Sequence, residues 1–195
     1  AFKEVKALPK GHYLEISSNS QSKALPYQQY RSPDFFTSEE EAVEEIRKVV
    51  DHSIQARLLS EVDIGAFLSG GLDSSIIATR ASQKLSSLTT FCIGFEVAND
   101  PYHGEADESA QAEETAKRIG SIHHTIRVSA KDFKDSLESF SWHGDQPFAV
   151  SSGLGILHIA RKAKELGIKV LLSGDGADEC FGGYSWYRYL ENNGT

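Results

Sequence analysis

Apolar and polar positions follow two different periods along this chain, and the switches between them mark out its elements. After Ser38 the apolar residues Val43, Ile46, Val50, Ile54 and Leu58 recur at three- and four-residue steps, with Glu and Arg on the opposite side. That spacing predicts an amphipathic helix. Ser38 and Glu41 have the S-x-x-E form of a capping box and mark its start. Residues 62–68 (VDIGAFL) form a short apolar run and predict a buried strand, and Ile76 to Ala81 then predicts a helix. Residues 89–95, 124–128 and 168–172 predict three more strands. Helical patterns cover 105–119, with Ala106, Ala110, Ala116 and Ile119 toward a core and Gly120 as the stop, then 130–140, and 151–166 with Gly167 as the stop. Asn99-Asp100-Pro101 reads as a turn. Strands alternating with helices imply an α/β fold, an open, mainly parallel sheet with helices on both faces. In such sheets ligands sit beyond the carboxyl ends of the strands.

The first 33 residues differ. They hold three of the five prolines and many Ser, Gln and Tyr residues. Residues 11–16 read as a strand with no clear partner nearby. This stretch is expected to be a linker or the tail of a preceding domain, with the regular domain running over 34–195.

Composition narrows the class. With 39% hydrophobic and 25% charged residues in 195, the chain is globular and has enough material for one domain with a core. No apolar run approaches the ~20 residues of a membrane span. There is no secretory leader pattern, and Cys92 and Cys180 lack metal-ligand spacing. A cytoplasmic protein that does not act on membranes is the expectation. The net charge is −8 and no dense Lys/Arg cluster occurs, which argues against nucleic acid as a partner. Methionine is absent and the chain opens Ala1-Phe2, so a segment of a longer protein is expected.

The chemistry concentrates in two loops. Ser69-Gly70-Gly71-Leu72-Asp73-Ser74-Ser75 lies between the first buried strand and a helix. Two glycines let the backbone approach an anion, the serines add hydroxyls, and the helix start supplies N–H groups and the positive end of its dipole. Asp73 would repel phosphate unless a divalent cation stood between them. The loop lacks the lysine of the GxxxxGK[ST] type. Ser173-Gly174-Asp175-Gly176-Ala177-Asp178-Glu179 follows the last strand, with Phe181-Gly182-Gly183-Tyr184 after it. If the two loops are neighbours, Asp73 and one of Asp175, Asp178 or Glu179 can share a Mg²⁺ ion.

The SGGxDS string resembles the pyrophosphate loop of the N-type ATP pyrophosphatases. The pair SGGLDSS and SGDGADE-x-FGGY resembles the synthetase domain of glutamine-dependent asparagine synthetases. Gly120 to His124 and the acidic helix before it fit that family too, and Leu8 to Leu14 resembles the last strand of its glutaminase domain. The resemblance implies the fold of the adenine nucleotide α-hydrolase type and divides the chain into a glutaminase tail or linker over 1–33 and a truncated synthetase domain over 34–195. It implies ATP and Mg²⁺ as cofactors. Ser69, Gly70, Gly71, Asp73, Ser74 and Ser75 match the pyrophosphate loop, and Asp73 and Asp178 the Mg²⁺ carboxylates. Leu68 and Ile93 match strand ends whose backbone holds adenine, and Ser173 and Gly174 a second ATP contact. Asp175 matches the acidic catalytic position tied to the β-aspartyl-AMP intermediate, Glu in many members and Asp in others.

The implied reaction activates a carboxylate, aspartate first, as its adenylate with loss of pyrophosphate. Ammonia from glutamine, made by an upstream glutaminase domain, then gives the amide. A homodimer is compatible with the resemblance. The glutaminase cysteine and a later lysine that assists adenylation are absent, so the chain as given is expected to bind Mg-ATP and not to hydrolyse glutamine. The alternatives are an amidotransferase or β-lactam-type synthetase using another carboxylate, and a nucleotide-binding module without turnover. His123 and His124 would point to opposite faces of a strand and are expected to be structural. Residues 142–147 read as a turn, which the resemblance places near the active-site cleft, making Asp145 a candidate for a substrate contact. Tyr184, Trp186, Tyr187 and Tyr189 form an aromatic cluster expected to pack.

Overall fold

The computed structural model describes residues 3–18, 23–27, 36–96, 107–145 and 152–187. The chain opens with a small antiparallel pair, β1 (His12–Leu14) and β2 (Ala24–Pro26), with Tyr13 opposite Leu25. The strand over 11–16 therefore has a partner, contrary to expectation. Ala24-Leu25-Pro26 is too short to show alternation, and its proline is tolerated because this pair has only edge strands.

Helix α1 (Glu39–Arg57) begins at Ser38, whose side chain accepts the Glu41 N–H at 3.2 Å. The return bond of the expected capping box is displaced by one residue: Glu41 accepts the N–H of Thr37 at 2.9 Å and its hydroxyl, not the Ser38 N–H. Of the apolar stripe along α1, only Ile54 is buried.

The main sheet has four parallel strands, β3 (Ile64–Phe67), β4 (Thr89–Phe95), β5 (Ile122–Val128) and β6 (Val170–Leu172), in the order β5-β4-β3-β6. Between them run α2 (Leu72–Ser82), α3 (Ser109–Ile119), α4 (Ala130–Gly144) and α5 (Ser152–Glu165), and a short α6 (Ala177–Phe181) follows β6. This is the open parallel α/β sheet expected from the alternation of periods.

The strand pleat sorts its side chains between two cores. Ile64, Ala66, Leu68 and Cys92 pack with Ala78 and Ala81 of α2 and Ala112 and Ala116 of α3. On the opposite face Phe91 packs with Ile159 and Ala163 of α5, flanked by Phe67, Ile93 and Ile126. Helices thus cover both faces; the inner strands β3 and β4 are mostly buried, as a parallel sheet requires, while the edge strand β5 is mainly half-buried.

Among the boundaries that differ from expectation are the start of α3 and the end of α4. Helix α3 starts at Ser109, because the Asp107 carboxylate is spent on the N–H groups of Phe95 and Ser109, each at 3.0 Å. Ala110 is exposed and Ala112 takes the core position. Helix α4 continues to Gly144, so Trp142 and His143 are helical, and the turn begins at Asp145, in the left-handed region at φ 55°. The expected turn at 99–101, Glu105, Ala106, Gln146 and Pro147 lie outside the described residues. Gly120 and Gly167 end α3 and α5 with φ of 70° and 77°, as their positions predicted. No helix among the described residues is long and apolar enough to cross a membrane.

Gly65, in the central strand, is a packing test of this sheet. A Cβ there would lie 2.8 Å from Leu171 Cδ2 and 3.0 Å from the Thr89 carbonyl oxygen. Gly65→Ala is expected to cost about 1–3 kcal/mol of stability, read from urea denaturation. An unchanged midpoint would mean the neighbouring strands relax freely.

Candidate functional site

The two glycine loops leave the sheet side by side. Ala66 of β3 pairs with Leu172 of β6, so Ser69 and Ser173 emerge from adjacent strand ends. β3 has β4 on one side and β6 on the other, which makes this edge the point where the strand order reverses, the usual place for a ligand crevice. The loops are in van der Waals contact. A Cβ on Gly174 would lie 2.9 Å from Asp73 Cβ and 3.2 Å from the Ser74 nitrogen. Glycine is needed at 174 for this approach.

Between the loops lies a cavity of about 490 Å³. Ser69, Gly71, Asp73 and Ser74 line it from the first loop, and Ser173, Gly174, Asp175 and Asp178 from the second. Helix α2 starts at its wall. Its N-cap, Gly71, supplies no side-chain acceptor, so the N–H groups of Leu72, Asp73 and Ser74 have no acceptor within the helix. The preceding loop is braced internally. Ser74 Oγ accepts the Ser69 N–H at 3.1 Å, Ser69 Oγ accepts the Gly71 N–H at 3.0 Å, and the two hydroxyls bond each other at 3.0 Å. The result is a rigid turn with an open helix end, suited to an anion.

A second cavity of about 370 Å³ adjoins the first, and Ser69 and Ile156 line both. Its walls are mostly apolar, with Ile93, Phe95, Phe133 and Ile159, and they include Cys92 and Glu108. Its size is in the range of small-molecule sites. Burial, with the carboxylates of Asp107, Glu108 and Glu113 nearby, pushes the Cys92 thiol up to about 11, so it stays protonated near neutral pH.

The second loop carries its own brace. Tyr184 donates its hydroxyl to Glu179 Oε1 at 2.6 Å, and both side chains line the acidic cavity. That bond holds the Glu179 carboxyl below its usual range and pushes the Tyr184 phenol up to about 12. Tyr184 stacks on Trp186 with ring centres 4.1 Å apart. Gly183 leaves space for the Asp178 carboxylate, which a Cβ there would overlap. The FGGY string is therefore part of the site's architecture.

The expected site residues separate into groups. Leu68 is fully buried, its N–H bonds the Phe91 carbonyl at 2.8 Å, and it lines neither cavity. Ile93 lines the apolar cavity. Gly70 and Ser75 line a groove of about 910 Å³ on the other side of α2, and the Ser75 hydroxyl is spent on the Gly71 carbonyl at 2.7 Å. That groove is larger but is walled mainly by apolar residues of α1 and α2, such as Val43, Ile46 and Ile76, and it touches the first loop only through Gly70, Gly71, Leu72 and Ser75, without any residue of the second. Asp145 lines neither cavity of the site. The two histidines do face apart: His123 Nδ1 bonds Thr90 Oγ1 at 2.9 Å, and His124 stacks on Phe91. Tyr189 lies outside the described residues. Phe67, Ile156 and Glu108 were not anticipated, since nothing local in the sequence ties them to the loops.

Residues 45–195 match the family model for asparagine synthase. The chain belongs to the asparagine synthase family. These are ATP-dependent amide-forming ligases. Within the family, the chain is 38% identical over 152 residues to an asparagine synthetase [glutamine-hydrolyzing] 1 of Bacillus subtilis, covering 78% of this chain and 23% of that protein. It is 33% identical over 201 residues to the amidase chyE of Penicillium rubens, covering 96% of this chain and 30% of that one. It thus spans less than a third of the length of either. Among solved structures it is similar to the NH3-dependent NAD synthetase of Campylobacter jejuni, with a TM-score of 0.47 and 16% identity over 73% of this chain and 60% of that one.

The Tyr184–Glu179 bond gives a titration to follow. With the Glu179 carboxyl held low by this bond, its contribution to stability is present above the ordinary glutamate range and is lost as pH falls through the lowered value. Tyr184→Phe is expected to raise the Glu179 pKa toward the ordinary value, measured by NMR titration. An unchanged pKa would mean that Tyr184 is not its controlling partner.

Proposed function

We propose that this site binds ATP and activates a carboxylate as its acyl-adenylate, with pyrophosphate as leaving group, and that ammonia then forms the amide. The observation that carries this reading is the contact between the two glycine-and-acid loops at the strand-order reversal, beside an apolar cavity of suitable size for a nucleoside. The adenine ring is assigned to the apolar cavity lined by Ile93 and Ser69, with the backbone of Leu68, one residue before Ser69, as the second expected contact. The phosphates are assigned to the N–H groups that open α2 and to the hydroxyls of Ser69 and Ser74, with Ser173 and Gly174 closing the other side.

The carboxylates Asp73 and Asp178 line the same cavity, and among the described residues no group of three acidic, His or Cys side chains forms a metal cage. That donor set fits Mg²⁺, which takes one or two carboxylates and completes its shell with phosphate oxygens and water. Bound there, Mg²⁺ would offset phosphate charge and help pyrophosphate leave. Asp73 and Asp178 would hold it, and Asp175 would face the forming adenylate. The loop's fixed N–H groups and hydroxyls stabilise charge that builds on the departing oxygens, so catalysis rests on positioning and electrostatics.

Aspartate is the first acceptor to test, with ammonia supplied from glutamine by a glutaminase domain elsewhere in the intact protein, as the name of the Bacillus relative suggests. A second reading keeps the adenylation and changes the acceptor to another carboxylate. It is supported by the match to the fungal amidase over 96% of this chain. Pyrophosphate release by the intact protein separates these. Aspartate-stimulated release supports the first, release only with another carboxylate supports the second, and ATP binding without release with any carboxylate overturns the ligase reading.

Asp73→Ala is expected to abolish Mg²⁺-dependent ATP binding while the circular dichroism spectrum stays native. Unchanged Mg-ATP affinity in calorimetry would overturn the metal assignment. Gly174→Ala is expected to force the loops apart and weaken Mg-ATP binding by about tenfold or more, the effect of losing one charged hydrogen bond or its equivalent.

A further inference from the structure

Glu108, the residue before α3, is not explained by the two loops. Its Oε2 accepts the N–H of Gly70 at 3.0 Å. The neighbouring N–H groups of Ser69 and Gly71 are satisfied by hydroxyls from within the loop, whereas Gly70 is served by a carboxylate from another element. The approach is close: a Cβ on Gly70 would lie 3.0 Å from both Glu108 Cβ and Gln111 Cβ, so the start of α3 is seated on the loop. Glu108 is also the one charged side chain lining the apolar cavity among the described residues.

A neutral acceptor would brace Gly70 as well. A carboxylate beside a phosphate site adds repulsion, and an ordered glutamate loses rotamer freedom. The charge therefore calls for a second use. An ionised carboxylate has about four lone-pair positions, and one N–H occupies one of them. A nucleotide with its base in the apolar cavity and its phosphates at the start of α2 must cross the shared wall at Ser69, one residue from Gly70. The part that crosses there is the ribose. Vicinal hydroxyls are neutral double donors, and an acidic side chain reads them in dinucleotide-binding folds.

We infer that Glu108 is a specificity-determining residue that accepts hydrogen bonds from the ribose hydroxyls while its other oxygen pins the phosphate loop. This rests on the nucleotide reading above. The test is calorimetric binding of Mg-ATP, Mg-2′-deoxy-ATP and Mg-3′-deoxy-ATP to the intact protein and to its Glu108→Ala and Glu108→Gln variants. The wild type is expected to prefer ATP over at least one deoxy analogue by about tenfold, the size of one charge-assisted hydrogen bond. Glu108→Ala is expected to lose that preference by weakening ATP more than the analogue. Glu108→Gln keeps an acceptor for Gly70, so it preserves the loop and reduces the preference. Equal wild-type affinity for ATP and both analogues would overturn the inference, as would equal losses, or gains, for all three nucleotides in the variants. If the intact protein binds no Mg-ATP, the nucleotide reading itself is overturned, which the wild-type titration alone reveals.

Discussion

The site depends on one steric constraint, the absence of a side chain at Gly174. Without a Cβ there, the loop after β6 can rest against Asp73 and Ser74, and two loops from different strands become one cavity. The β3–β6 register delivers them to the same place, but register alone would leave them apart if position 174 carried bulk. The same logic recurs at Gly183, where missing volume is filled by the Asp178 carboxylate. Glycines in this region make space for acids as much as they make turns.

Those acids set the electrostatic problem. Asp73, Asp175, Asp178 and Glu179 all line a cavity whose wall is an open helix N-terminus. The helix end favours an anion and the carboxylates oppose one. A ligand that carries both signs, such as the polyphosphate with a divalent cation proposed above, would satisfy both tendencies. Tyr184 relieves part of the crowding by donating to Glu179, which ties that carboxylate to the second loop.

Much of this was legible in the sequence because it is local. The SGGLDSS and SGDGADE strings, the strand runs before them and the glycine stops after α3 and α5 each declare themselves within a few residues. The general rule for parallel sheets put both at carboxyl ends of strands but left their adjacency open, and the structure places both loops on one cavity. What stayed hidden was non-local. Glu108 reaches Gly70 across 38 positions, and Ile156 of α5 lines both cavities. No periodicity encodes such contacts. The β1–β2 pair was missed because three-residue strands carry too little alternation, and α4 outran its expected end because Trp142 and His143 remain good helix positions until Asp145 turns left-handed. The apolar stripe of α1 was read correctly as a helix, yet most of it lines an open groove instead of a core.

The strand order has a consequence for how the protein reaches its working form. β3 and its loop come early in the domain and β6 and its loop come late, yet they pair directly. The cavity does not exist until this long-range closure is complete, a step that loop-closure entropy makes slow. A ligand held by both loops binds only the finished chain and stabilises it over every partly folded form. Occupancy of the site is thus a report that folding has ended, and a cell holding abundant ligand would shift the chain toward its native state.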